Sequence, residues 1–158
     1  MAPVIDRKER EFQRREEDIL AAAYSLFDVP EWQSVTIDQI AAKTEIGKGT
    51  IYKHFESKEQ IYAKLVLAWQ QRVLEELRRI DFTLPALSVL GAAMDVFWRS
   101  HRSSRDRRLM SFCRREDFHS TIGPALAKER DGLDESFSAL LDPVLERVRE
   151  PEDNAEPA

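Results

Sequence analysis

Hydrophobic positions along this chain recur at helical spacing, and no stretch alternates apolar and polar residues as a half-buried strand would. The first stripe is Phe12, Ile19, Ala22, Ala23, Leu26 and Phe27, with charges opposite it, and it predicts a helix from about Glu11 to Phe27. Val29-Pro30 ends that helix, because the residue before a proline is pushed out of helical geometry. Residues 1–10 are polar and expected to fray. Thr36 offers a side-chain oxygen just ahead of Ile37, Ile40 and Ala41, which is how a helix N-terminus looks. The pattern breaks around Ile46 and Gly47, then resumes with Ile51 and Phe55 four residues apart. Ser57-Lys58-Glu59-Gln60 has the form of a capping box. It opens a long helix to about Arg79, carried by Ile61, Leu65, Ala68, Trp69, Val73 and Leu77.

Asp81 to Pro85 is a break, with proline accepted in the first turn of the helix that follows. Leu87, Leu90, Met94, Phe97 and Trp98 form the apolar stripe of that helix. Gly123-Pro124 marks another break, and Leu133, Phe137, Leu140, Leu141, Val144, Leu145 and Val148 outline a last amphipathic helix. The tail from Glu150, EPEDNAEPA, is acidic and proline-containing, with the composition of a disordered segment. The fold class is therefore all-α.

The chain has 158 residues, enough for one ordinary domain or two small ones sharing a core. Its net charge of −5 gives no global positive field to advertise nucleic acid. Locally the balance differs: Lys43, Lys48, Lys53, Lys58 and Lys64 outnumber Glu45, Glu56 and Glu59, a modest positive excess around the broken helix pair. Cys113 is the only cysteine, which excludes an intrachain disulfide and a cysteine-based metal cluster. No run reaches membrane-spanning length and the N-terminus has no signal-like apolar core, so the expected location is cytoplasmic, with no membrane partner.

The helix, tight break and helix between Thr36 and Phe55 have the proportions of a helix-turn-helix, whose second helix enters a DNA major groove. The full stretch, TIDQIAAKTEIGKGTIYKHFESK over residues 36–58, resembles the TetR/AcrR family of bacterial transcriptional repressors. The likeness runs back through ILAAAYSLF to about Arg14 and forward to about Trp69. Two positions depart from the family pattern. Glu31 stands before Trp32 where a glycine is usual, and Glu45 aligns with the usual turn glycine, where a left-handed residue costs about 1 kcal/mol unless Gly47 relieves it.

The resemblance implies a three-helix DNA-binding bundle over residues 11–58, including the start of the fourth helix. That long helix leads into a small helical effector and dimerisation domain over residues 59–149, followed by the acidic tail 150–158. It places DNA contacts at Thr36, Lys48, Gly49, Thr50, Tyr52, Lys53, His54 and Lys58. The residue types suit that role. Lysines neutralise phosphates and donate to guanine, threonine offers a hydroxyl and a methyl, Gly49 lets backbone approach closely, and Lys58 sits at a helix N-terminus suited to a phosphate. Ile37, Ile40, Ala41, Ile51 and Phe55 are expected in the core. The bland alternative for the polar set is a solvated helix face. The family further implies a homodimer on a palindromic double-stranded DNA operator, repression, and release by a small-molecule effector.

Met94, Phe97, Trp98, Phe112 and Phe118 are candidates for an effector pocket, although an aromatic stripe at helical spacing is more often plain core. Seven arginines between Arg99 and Arg115 face only Asp106, as a solvated or interface face, an acidic-ligand site or an added nucleic-acid contact. Cys113 and His119 lack a third orienting residue, so a packed thiol is favoured over a catalytic pair. No metal site, cofactor or enzymatic activity is expected. About 70 residues follow Arg79 before the tail, fewer than the family usually has. Dimerisation through Leu133–Val148 and the Leu87–Trp98 stripe is one answer to that. An adaptor that keeps the fold but works through protein contacts is the other functional reading.

Overall fold

The computed structural model describes residues 6–29, 31–113 and 118–149, apart from the side chains of Trp32, Cys113 and His119. The described residues form eight α-helices and one short 3-10 turn, with no strand among them. In chain order these are α1 (Arg7–Leu26), the turn Trp32–Ser34, α2 (Ile37–Thr44), α3 (Lys48–His54) and α4 (Lys58–Leu77). The chain continues through α5 (Ala86–Ser100), α6 (Ser104–Cys113), α7 (Phe118–Ile122) and α8 (Pro124–Arg149). The chain divides into two compact units between Leu65 and Val66, inside α4. The acidic tail, Arg114 and Arg115, and the Cys113–His119 pair fall outside the described residues or side chains.

The first unit is held by apolar residues from all four of its helices. Ile19 and Ala23 of α1, Ile40 of α2, Ile51 of α3 and Ile61 of α4 are fully buried, with Phe27 packed at 5.0 Å against the ring of Tyr62. Helix α1 begins at Arg7, about one turn earlier than the apolar stripe implied, and this corrects the expectation of a frayed start. Arg, Lys, Glu and Gln are strong helix formers. Side-chain pairs four apart, Glu11 with Arg15 at 2.7 Å and Glu9 with Gln13 at 3.1 Å, add to them on the exposed surface.

Two caps fix the helix-turn-helix. The Thr36 hydroxyl accepts from the Gln39 N–H at 3.2 Å while the Gln39 side chain accepts from the Thr36 N–H at 2.9 Å, so both donors at the start of α2 are satisfied. At its end Glu45 takes φ 56 and ψ 26, the one positive φ at a non-glycine among the described residues. The Ile46 N–H then reaches back to the Ala41 carbonyl at 3.2 Å, closing the helix as a Schellman-type cap. Gly47 does not share that strain: its φ of −63 and ψ of 141 are ordinary extended values, and it serves as the N-cap of α3. Glu31 likewise has no positive φ, so the missing glycine there costs the backbone nothing.

In the second unit, Leu67 and Leu74 of α4 pack with Leu133 of α8, and Ala86 and Val89 of α5 pack with Val144. Helix α8 starts at Pro124, well before its apolar stripe, because Gly123 turns the chain at φ 80 and proline is preset for the first turn. It continues through Pro143 to Arg149. Its Arg147 guanidinium donates to the carbonyls of Phe82 at 3.0 Å and Leu84 at 2.8 Å, tying down the α4–α5 loop. Helix α5 corrects the sequence reading. Ala86, Val89, Ala93 and Val96 are its buried side, while Leu87, Met94 and Trp98 are exposed. Both faces of α5 are apolar, and the side with smaller residues lets α8 approach, so Leu87, Met94 and Trp98 are left outward while Leu90 and Phe97 stay half-buried.

Candidate nucleic-acid interface

Helix α3 is sealed to the first unit by Ile51 and Phe55, which are 0% and 5% exposed. With that side fixed, Lys48, Gly49, Tyr52 and Lys53 stand exposed, while Thr50 is half-buried. A Cβ added at Gly49 meets no atom within 4 Å, so glycine is not required there by packing. Lys48, at the first position of α3, pairs with Asp38 in the first turn of α2, at 2.9 Å and 3.1 Å to the two carboxylate oxygens. That hydrogen bond, and then the charge of Asp38, holds the Lys48 ammonium above the usual lysine range.

Three of the expected contacts have structural employment. Thr36 is the N-cap of α2 and spends its hydroxyl on Gln39, although it remains exposed. Lys58 donates to the carbonyls of Gln33 and, at 3.1 Å, of Val35, so its ammonium is engaged within the protein instead of standing open to a phosphate. His54 does not face outward. Its side chain is only 2% exposed and stacks on Phe12 of α1 with ring centroids 4.0 Å apart, with Nδ1 3.5 Å from a Glu16 carboxylate oxygen. It is the last residue of α3, next to the buried Phe55, and Phe12 of α1 covers its ring. The start of α4 is capped as foreseen, with Ser57 Oγ accepting from the Gln60 N–H at 3.2 Å. The reciprocal bond goes to the N–H of Glu56 at 3.0 Å.

Residues 19–65 match the family model for bacterial regulatory proteins, tetR family. Over that segment, which holds both helices of the helix-turn-helix, the chain is similar to the tetR family. A relative is the HTH-type transcriptional regulator UidR of Escherichia coli K12, 32% identical over 75 residues. UidR of Shigella flexneri matches to the same degree. The match takes in 48% of this chain and 38% of the relative, so the chain aligns with well under half of the relatives' length. Two solved structures share the fold. One, from Vibrio parahaemolyticus and described as a TetR-family regulator, has a TM-score of 0.55 at 17% identity over 88% of this chain and 70% of that one. The other, from Shewanella sp. PV-4, has a TM-score of 0.51 at 20% identity over 91% and 73%. Members of the tetR family bind DNA, and the helix-turn-helix described above lies wholly inside the matched segment.

The five residues singled out for an effector pocket are not gathered round one cavity. Phe112 and Phe118 are each 2% exposed and meet edge to face at 5.1 Å, which is core packing. Trp98 is 76% exposed. Met94 and Phe97 line an apolar cavity of about 50 Å³ between α5 and α8, far below the ~300 Å³ at which small-molecule sites begin. In the arginine-rich segment, Arg107 donates to the carbonyls of His101 and Arg102, at 3.2 Å and 2.9 Å, and Arg99 faces Glu76 at 3.8 Å. Both contacts fit the reading of a solvated or internally engaged face. No described helix is long and apolar enough to cross a membrane.

Proposed function

We propose that this protein is a transcriptional regulator that reads a palindromic DNA operator as a homodimer and represses by occupying it. The observation that carries the reading is the outward face of α3, where Lys48, Gly49, Tyr52 and Lys53 stand exposed on a helix whose other side is locked by Ile51 and Phe55. A rigid helix presenting lysine donors, a tyrosine hydroxyl and an accessible backbone is what major-groove docking needs. The homodimer rests on a separate feature. Leu87, Met94 and Trp98 of α5 are 55%, 60% and 76% exposed, and Leu145 of α8 is also exposed, an apolar face that a second copy would cover. A symmetric dimer presents two recognition helices at a spacing of one DNA turn or a multiple of it. Release by a small-molecule effector belongs to the same reading, with a site other than the 50 Å³ cavity beside Met94.

The test is fluorescence anisotropy on DNA from immediately upstream of the protein's own gene, beside a scrambled duplex, at two salt concentrations. Tight, sequence-selective and salt-sensitive binding is expected. Weak binding of equal strength to both duplexes would overturn the operator reading and favour an adaptor that acts through protein contacts.

A further inference from the structure

The first two turns of α1 carry Arg7, Arg10 and Arg14 at i, i+3 and i+7, which places them in one row along the helix. All three are exposed. They line one wall of an open cleft of about 700 Å³ whose other wall is the helix-turn-helix turn, Thr44 to Gly47, together with Thr50 of α3. The arginine row and the DNA-reading helix therefore share a single concavity. The cleft also holds acidic groups. Glu11 is paired with Arg15, also on this wall, at 2.7 Å, and Asp18 and Glu45 lie at the cleft too. Neither Asp18 nor Glu45 belongs to the row from Arg7 to Arg14.

We infer that this arginine row is a second DNA contact, a backbone clamp that grips phosphates flanking the segment read by α3. It rests on the DNA-reading role proposed above and adds to it a surface outside residues 19–65. The dimensions fit. Seven helical residues span about 10 Å, and one DNA strand places a phosphate every ~3.4 Å along its axis, so the row matches about three phosphates. Guanidinium groups suit this ligand because their planar fork takes phosphate oxygens in pairs. Such contacts position the protein and carry no sequence information, so the clamp raises affinity and footprint without altering the preferred site.

The test compares the unmodified full chain with the R7Q/R10Q/R14Q variant and with R7K/R10K/R14K, on a scrambled 30-base-pair duplex and on the upstream DNA. The readout is the slope of log affinity against log salt. Three lost phosphate contacts lower that slope by up to about 2.7, while the lysine variant keeps it and the preference between the two duplexes is unchanged. A decrease of less than one in the glutamine variant, or an equal decrease in the lysine variant, overturns the clamp while leaving the α3 reading intact. Failure of the unmodified protein to bind either duplex overturns both. Competition by inorganic phosphate beyond its effect on ionic strength would assign the cleft to a free anion instead. Unchanged far-ultraviolet circular dichroism excludes loss of α1 as the cause of any decrease.

Discussion

Lys48 Nζ lies 2.9 Å from Asp38 Oδ1, so the first residue of α3 is held by the first turn of α2. The same ammonium is a candidate phosphate or guanine donor, and Asp38 competes with DNA for it. Asp38→Asn should therefore tighten DNA binding and steepen its salt slope by about one, as a titration at several salt concentrations would record. An unchanged slope would mean that Lys48 does not contact DNA. The sign of any pH effect also follows. Asp38 raises the Lys48 pKa above the ordinary 10.5, so the pair's contribution is full below that value and is lost as pH rises through the raised one. Binding between about pH 6 and 9 should not change through this pair.

Gly49 can be separated from its neighbours by its lack of a packing role. Since an added Cβ meets nothing, Gly49→Ala should fold normally and gain up to about 1 kcal/mol in urea denaturation, from alanine's helix propensity. DNA affinity should nevertheless fall, because the methyl group would stand between the α3 backbone and the duplex. Full affinity in the alanine variant would show that the backbone does not approach DNA at this position.

His54 should behave as a core residue. Its side chain is 2% exposed against Phe12, so His54→Ala should cost about 2 kcal/mol of stability. Lys53→Ala, one residue earlier and exposed, should stay within about 0.5 kcal/mol. Equal urea midpoints for the two variants would contradict the packing described for α1 on α3.

Glu45 is strained where a glycine would not be. Glu45→Gly should raise stability by about 1 kcal/mol, seen as a rise in Tm of roughly 2–4 °C. A lower Tm would show that contacts of the Glu45 side chain outweigh its backbone cost.

The outward face of α5 bears on assembly. Met94→Glu combined with Trp98→Glu should convert the proposed homodimer to a monomer in sedimentation velocity, with helix content retained because both side chains are exposed. A dimer that survives both changes would place the interface elsewhere. A monomeric unmodified protein would remove the homodimer from the proposal.

Much of this was readable from the sequence, for reasons that differ by element. Thr36, Ile37, Ile40, Ile51 and Phe55 announced a capped helix and the helix after it because local caps and helical spacing act over four residues or fewer. The left-handed turn at Glu45 followed from the resemblance, which aligns it with the family's usual turn glycine. What could not be read depends on contacts distant in sequence. The engagement of Lys58 with Gln33 and Val35 spans more than 20 residues, and the inward turn of His54 needs Phe12 from another helix. The inverted burial of α5 had a local ambiguity, since Ala86, Val89, Ala93 and Val96 form a stripe as regular as the bulkier one and only α8 decides between them. The early start of α1 lies ahead of its apolar stripe and is carried by polar helix formers, for which the arginine spacing of RKEREFQRR is the helical signal.

The hold of Lys58 on the carbonyls of Gln33 and Val35 also bears on engineering of the molecule. By chain entropy alone the connection between α1 and α2 should accept extra residues at little cost. Here the last residues of that connection are latched to the opening of α4, so the stretch from Gln33 to Val35 has no slack to take them. A peptide tag or reporter inserted after Ser34 would have to break the latch or displace α2, whereas one placed ahead of Val29 would leave it closed. Chain entropy alone does not reveal that limit, which comes from a side chain more than 20 residues further on.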